Sequence, residues 1–152
     1  MGMFQFSIAD GQITNRLPKL QDGFSGVVQI NRTEISKTRQ GDKFFANFTV
    51  VVTNDETKHP VGKMYSWGQS LLDPNIAKNA MKQFLTAVCG VKADDEAAIK
   101  ALEPSMDAII GAAVQSPDQN QLCSRYVRVE TFEKTTGNNR PFMNHNWSAY
   151  VG

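Results

Sequence analysis

Lys43-Phe44-Phe45-Ala46-Asn47-Phe48-Thr49-Val50-Val51-Val52-Thr53 is the most strongly strand-like run in the chain. Phe44, Ala46, Phe48, Val50 and Val52 fall on one face and Phe45, Asn47, Thr49, Val51 and Thr53 on the other, the period of two of a half-buried strand. Upstream, from Gly23 to Thr38, Phe24, Val28 and Ile30 alternate with Ser25, Gln29 and Asn31, and Gln40-Gly41-Asp42 supplies the turn between the two runs. Downstream, a polar loop from Asn54 to Pro60 leads into a short third strand from Val61 to Trp67.

The period then changes. Asp73-Pro74 reads as an N-cap with proline at the first helical position, and Ile76, Ala77, Ala80, Met81, Phe84, Leu85 and Val88 recur on one side before Gly90. A weaker helical stretch runs from Ala93 to Leu102 and is interrupted at Pro104. Its Asp94-Asp95-Glu96 start fits an acidic first turn matched to the helix dipole. The apolar run Ile109 to Val114 has no decisive period and is expected to be a buried strand with Gly111 at a close approach. Leu122 to Lys134 is a further strand, with Val127 and Val129 on one face and Tyr126, Arg128, Glu130 and Phe132 on the other. A hairpin loop at 135–139 leads to a last strand or extended tail from Phe142 to Val151.

Three strands, a helical insert at about 70–107, then two or three more strands, with a C-terminal extension at about 141–152, make one mainly β domain over 1–152. The order is that of an OB-fold-like five-stranded barrel with helices between strands 3 and 4, a partly open barrel that binds oligomers on its strand 2–3 face and connecting loops. The competing architecture is a generic α+β domain with a helix on an antiparallel sheet.

The 152 residues suffice for one core without cross-links. Cys89, Cys123, His59 and His145 are each isolated, without metal-ligand spacing, so no metal or cofactor site is expected and the cysteines read as buried thiols of a reducing compartment. The N-terminus lacks the basic start and apolar run of a signal peptide, and no 18-residue apolar stretch spans a bilayer, which points to the cytoplasm and away from a membrane. No phosphate-binding glycine loop or nucleophile elbow is present, so an enzyme is not expected.

Binding single strands requires a cationic groove for phosphates and exposed aromatic faces for bases. By alternation, Phe44 and Phe48 belong to the core while Phe45 faces away. Lys63, Tyr65 and Trp67 share one face of the third strand and are expected to form an exposed stacking platform. Tyr126 and Arg128 point outward on the later strand. Arg32, Lys37, Arg39 and Lys43 surround the first hairpin, and Lys134 and Arg140 flank the later one. Trp147 and Tyr150 read as packing for the last strand or as a dimer contact.

Three further stretches carry a resemblance: residues 17–28 (LPKLQDGFSGVV), 41–50 (GDKFFANFTV) and 60–67 (PVGKMYSW). Together with Phe84 to Gly90 and Tyr126 to Phe132, this pattern resembles the small OB-fold single-stranded-DNA-binding proteins of bacteriophage replication and recombination clusters. The resemblance implies a protein that coats single-stranded DNA in the host cytoplasm, without catalysis and largely without sequence choice, beside replication or recombination proteins. Many such proteins end in an acidic tail that recruits partners, whereas this chain ends His145-Asn146-Trp147-Ser148-Ala149-Tyr150-Val151-Gly152. Nothing in the pattern reads a 2′-hydroxyl, so RNA stays beside DNA as a ligand. The open edges of a small barrel leave room for a homodimer. The alternative is a non-enzymatic interaction or adaptor module of a phage replication or virion complex.

The net charge of +1 argues at first against nucleic acid. Residues 93–118, however, hold Asp94, Asp95, Glu96, Glu103, Asp107 and Asp118 against Lys100 alone, a local −5 that leaves +6 for the remainder. Near-neutrality is thus a cancellation between an acidic helical insert and a basic strand framework.

Overall fold

A computed structural model describes residues 17–39, 41–135 and 141–150. Its sheet comprises β1 (Ser25–Thr38), β2 (Gly41–Val52), β3 (Met64–Ser70), β4 (Tyr126–Thr135) and β5 (Pro141–Ala149), all antiparallel, in the order β3-β2-β1-β4-β5. Between β3 and β4 lie α1 (Pro74–Val88), α2 (Glu96–Leu102), a 3-10 turn (Glu103–Ser105) and α3 (Met106–Gln115). The fold is mainly β with helices between strands 3 and 4. The sheet is open: its ladder ends at β3 on one side and at β5 on the other.

Two irregularities bend β1. Its register against β2 shifts between Val27 and Val28 and again between Ile30 and Arg32, and such bulges increase local twist. Gly26 sits at the first shift because a Cβ there would lie 1.9 Å from the carbonyl oxygen of Val52. Only Ser25 to Gln29 pair with β4; farther on, β1 continues as a long arm against β2. The segment before β1 crosses between the two sides of the sheet. Pro18 O accepts from Ser66 N of β3 (2.9 Å), and Gly23 N donates to Thr131 O of β4 (3.0 Å).

The two edge strands meet through side chains instead of backbone. Trp67 of β3 and Trp147 of β5 have ring centroids 5.2 Å apart, and Phe84 of α1 lies 5.0 and 4.9 Å from them respectively. Phe44 and Phe48 of β2 complete the cluster from below, edge-on to Trp67 and Trp147. α1 is placed there by its own sequence. Asp73 caps it by accepting from the backbone N–H groups of Asn75 and Ile76, Pro74 opens it, and Ala77, Met81, Phe84, Leu85 and Val88 supply the buried stripe. Ile76, expected on that stripe, is exposed.

Four expectations are corrected here. Ile109 to Val114 is not a strand but part of α3, whose Met106, Ile109, Ile110 and Ala113 recur at helical spacing toward the core. Gly111 makes no close approach, since nothing lies within 4 Å of where its Cβ would be. The helical region therefore extends to Gln115, past the expected limit near 107. The third strand begins at Met64, three residues later than read, because Val61 to Lys63 turn back onto β2, with Gly62 N donating to Val50 O.

Because Trp67 joins both edges to α1, Trp67→Ala should destabilise the fold by about 3–5 kcal/mol, the range for deleting a large buried aromatic. Chemical denaturation checks this, and an unchanged midpoint would show that the cluster does not hold the edges together.

Candidate nucleic-acid interface

Directly opposed residues of an antiparallel pair share a face. Phe48 opposes Tyr65 and Ala46 opposes Trp67, and since Phe48 and Ala46 are core, so are their partners. Tyr65 and Trp67 are only 2% and 6% exposed. The alternation on β3 is as read, but its core face is inverted: the exposed aromatic platform expected of Tyr65 and Trp67 does not exist. Met64 and Gly68 lie on the opposite face, where Ser66 is buried and donates its backbone N–H to Pro18 O. Lys63 is exposed just before the strand, with its ammonium 5.4 Å from the centre of the Tyr65 ring.

What the open sheet provides is a groove of about 850 Å³ between its edges. Trp67 to Ser70 line one side, Phe142 to His145 with Trp147 the other, and Asn79 and Gln83 of α1 close one wall. Lys19 and Lys43 both line it. Burial holds the Lys43 ammonium below its ordinary value, and the charge of Lys19 adds to the effect. Two cations that oppose each other in one groove are stabilised by an anion placed between them.

Further aromatic rings lie beside the groove-lining residues on both sides. On β2, Phe45 is half-buried with the Lys43 ammonium 5.5 Å from its ring centre. Gly68 of β3 makes room for the pair, since a Cβ there would lie 2.8 Å from Lys43 Cε and 3.0 Å from Phe45 Cε1. On the other side Phe142 of β5 lines the groove, and on the adjacent strand β4 Lys134 opposes it and stands 5.2 Å from the Phe132 ring centre. Phe132 and Phe142 are both exposed. A lysine and a phenylalanine in cation–π contact thus accompany each side, with Lys43 and Phe142 the members of these clusters that line the groove itself.

The remaining candidates separate. Arg32 is tied to Asp118 (2.7 Å) and Glu34 (3.2 Å), which raise its pKa, so it clamps the β1 arm to the segment after α3. Lys37 and Arg39 are exposed near the tip of the first hairpin. Tyr126 and Arg128 are exposed as expected, but at the opposite end of β4 from Lys134, with Tyr126 beside Tyr150 at 6.0 Å. Arg140 lies outside the described residues. Trp147 is core, as read, and Tyr150 is not.

Sequence reasoning passed over Lys19, Phe132, Phe142 and His145. Phe132 was recognised as outward, and its spacing of two from Lys134 was the available signal. Lys19 carried none, because only the crossing segment brings it to the groove. Among the described residues no group of three or more His, Cys, Asp or Glu side chains could hold a metal ion, and no helix is long and apolar enough to cross a membrane. In comparison with known proteins, no family model, curated protein or solved structure matches the chain.

Two imidazoles make stability depend on pH. Burial pushes His145 down to about 4, opposed by a backbone hydrogen bond with Met143 and assisted by the charge of Lys19. His59 is also lowered, first by burial and then by Lys58. It must be neutral at Nε2 to accept from Gln21 N at 2.8 Å. Below the unfolded-state value of about 6.5 the unfolded chain binds more protons than the folded one, so stability falls as pH drops from there toward 4. For His145 the loss is on the order of 3 kcal/mol across that window. Thermal melting at pH 7.5 and 5 should show the decline, and His145→Gln should reduce it. Equal melting temperatures at the two pH values would contradict the buried neutral state.

Proposed function

We propose that the chain binds single-stranded nucleic acid, DNA in the first instance, along the groove between β3 and β5, and acts as a coat and not as a catalyst. The observation that carries this reading is the convergence of Lys19 and Lys43 on one groove that Phe142 lines from β5, with Phe45 beside Lys43 on one side and Phe132 on the neighbouring strand β4 on the other. Phosphates answer the cations and bases stack on the rings, each stack contributing roughly 1–3 kcal/mol with little regard to sequence. The stacking surfaces are these phenylalanines; Trp67 lines the groove as its floor, and Tyr65 is core.

The sheet is then best understood as a partly open barrel of the OB type. The β1–β2 arm and the β4–β5 hairpin are its ligand-flanking loops, and the aromatic contact between Trp67 and Trp147 stands in for the missing backbone closure. Lys37 and Arg39 on the first arm extend the cationic track. The strand avoids the helical region, where residues 93–118 hold a local charge of −5. The resemblance to phage single-stranded-DNA-binding proteins supports replication or recombination in a host cytoplasm as the setting.

Fluorescence anisotropy of labelled thymidine oligomers tests the reading. Log affinity should fall with log salt at about −0.7 per phosphate neutralised, and Lys43→Ala should flatten that slope by about one such unit. Phe45→Ala should weaken binding roughly ten-fold at constant salt. Absence of binding in low salt, or wild-type affinity and slope in both variants, would overturn it.

A further inference from the structure

Beside its buried stripe, α1 carries a second face. Ile76, Asn79, Ala80 and Gln83 recur at helical spacing and all line the groove, whereas Ala77, Met81 and Phe84 are buried. The lysines of α1, Lys78 and Lys82, lie off this face and line a separate cavity toward α3. The helical wall of the groove is therefore uncharged. The strands continue it with Gln69 of β3 and Asn144 of β5, so that four carboxamides line one groove. Asn79 and Gln83 are exposed, and Gln69 and Asn144 are half-buried. Gln83 is held by its hydrogen bond with Asn146 (2.8 Å) and Gln69 by donation to Ser70 O (3.0 Å). Among the described residues Asn79 and Asn144 give their side-chain amides no partner.

We infer that these carboxamides, Asn79 above all, take the Watson–Crick edges of unpaired bases, so that the groove distinguishes unpaired from paired bases without choosing among them. The inference rests on the single-strand reading above. Lys19 and Lys43 supply the charge that phosphates need, and they come from the crossing segment and β2, apart from the amides. A carboxamide presents a donor and an acceptor side by side, of which a phosphate can use only the donor. Every base offers the complement on its edge: N3–H beside O4 in thymine, N1–H beside O6 in guanine, and an exocyclic N–H beside a ring nitrogen in adenine and cytosine. Stacking on Phe142, which lines the same groove, occupies the face of a base and leaves that edge free. A base drawn into the groove also loses water from its edge, and a group that both donates and accepts replaces it. A base in a duplex has already given its edge to its complement, so it gains nothing from this wall.

Thymidine oligomers and the same oligomers built from N3-methylthymidine test this by fluorescence anisotropy on the full chain. The methyl group removes the N3–H donor and leaves the ring face and the phosphates in place. The wild-type chain should bind the methylated oligomer about ten-fold more weakly, as loss of one sheltered hydrogen bond does. Asn79→Leu, an exposed and nearly isosteric change to a good helix former, should shrink that ratio to about three-fold or less and leave the salt slope unchanged, since no phosphate contact is lost. Equal affinity of the wild-type chain for both oligomers would overturn the inference and leave the groove reading standing. A penalty of undiminished size in Asn79→Leu would also overturn it, because the methyl group would then be clashing elsewhere. Binding of neither oligomer in low salt would overturn the groove reading, and this inference with it.

Discussion

The contact between Trp67 and Trp147, with Phe84 of α1 against both, is the constraint on which the structure depends. β3 and β5 are the ends of the ladder, and the sheet curls far enough for their inner side chains to touch while their backbones do not pair. Aromatic packing does not need the strict spacing of a β ladder, so the edges are held near each other with a groove still between them. A fully paired barrel would have no such opening. The bulges in β1, the glycine at position 26 and the crossing segment that bridges Ser66 and Thr131 all serve the curvature that brings the two tryptophans together.

Electrostatics follow from that geometry. The crossing segment delivers Lys19 to the groove and β2 delivers Lys43, where burial first and then the charge of Lys19 disfavour the Lys43 cation. Fixed donors that await an anion bind it with little reorganisation. The acidic residues of the helical region lie elsewhere in the chain, which is how a protein of net charge +1 accommodates a local cationic track. His145, neutral and lining the same groove, adds surface without adding repulsion toward the lysines.

Much of this was legible in the sequence. The period of two in 43–53 located β2 and its core face, Asp73-Pro74 located the start of α1, and alternation placed Tyr126 and Arg128 outward. The core face of β3 was not legible, because a short strand with Lys63, Tyr65 and Trp67 on one side and Gly62, Met64 and Ser66 on the other has no internal sign of which side is dry. Pairing with Phe48 and Ala46 decides it, and pairing is a long-range property. The same limit explains α3: an apolar run of small and branched residues fits a strand or a helix, and its contact with β1 and the α1 layer selects the helix. The groove lysine at position 19 depended on a chain crossing that no local pattern encodes.

The most direct measurement of the central claim is a residue-by-residue map of backbone amide shifts in the full chain on titration with a thymidine oligomer. The largest shifts should fall at Lys43 to Phe45, Trp67 to Ser70 and Phe142 to His145, with Tyr126 and Arg128 near their unbound positions. Shifts concentrated at Tyr126, Arg128 and Lys63, with the groove strands unmoved, would contradict it.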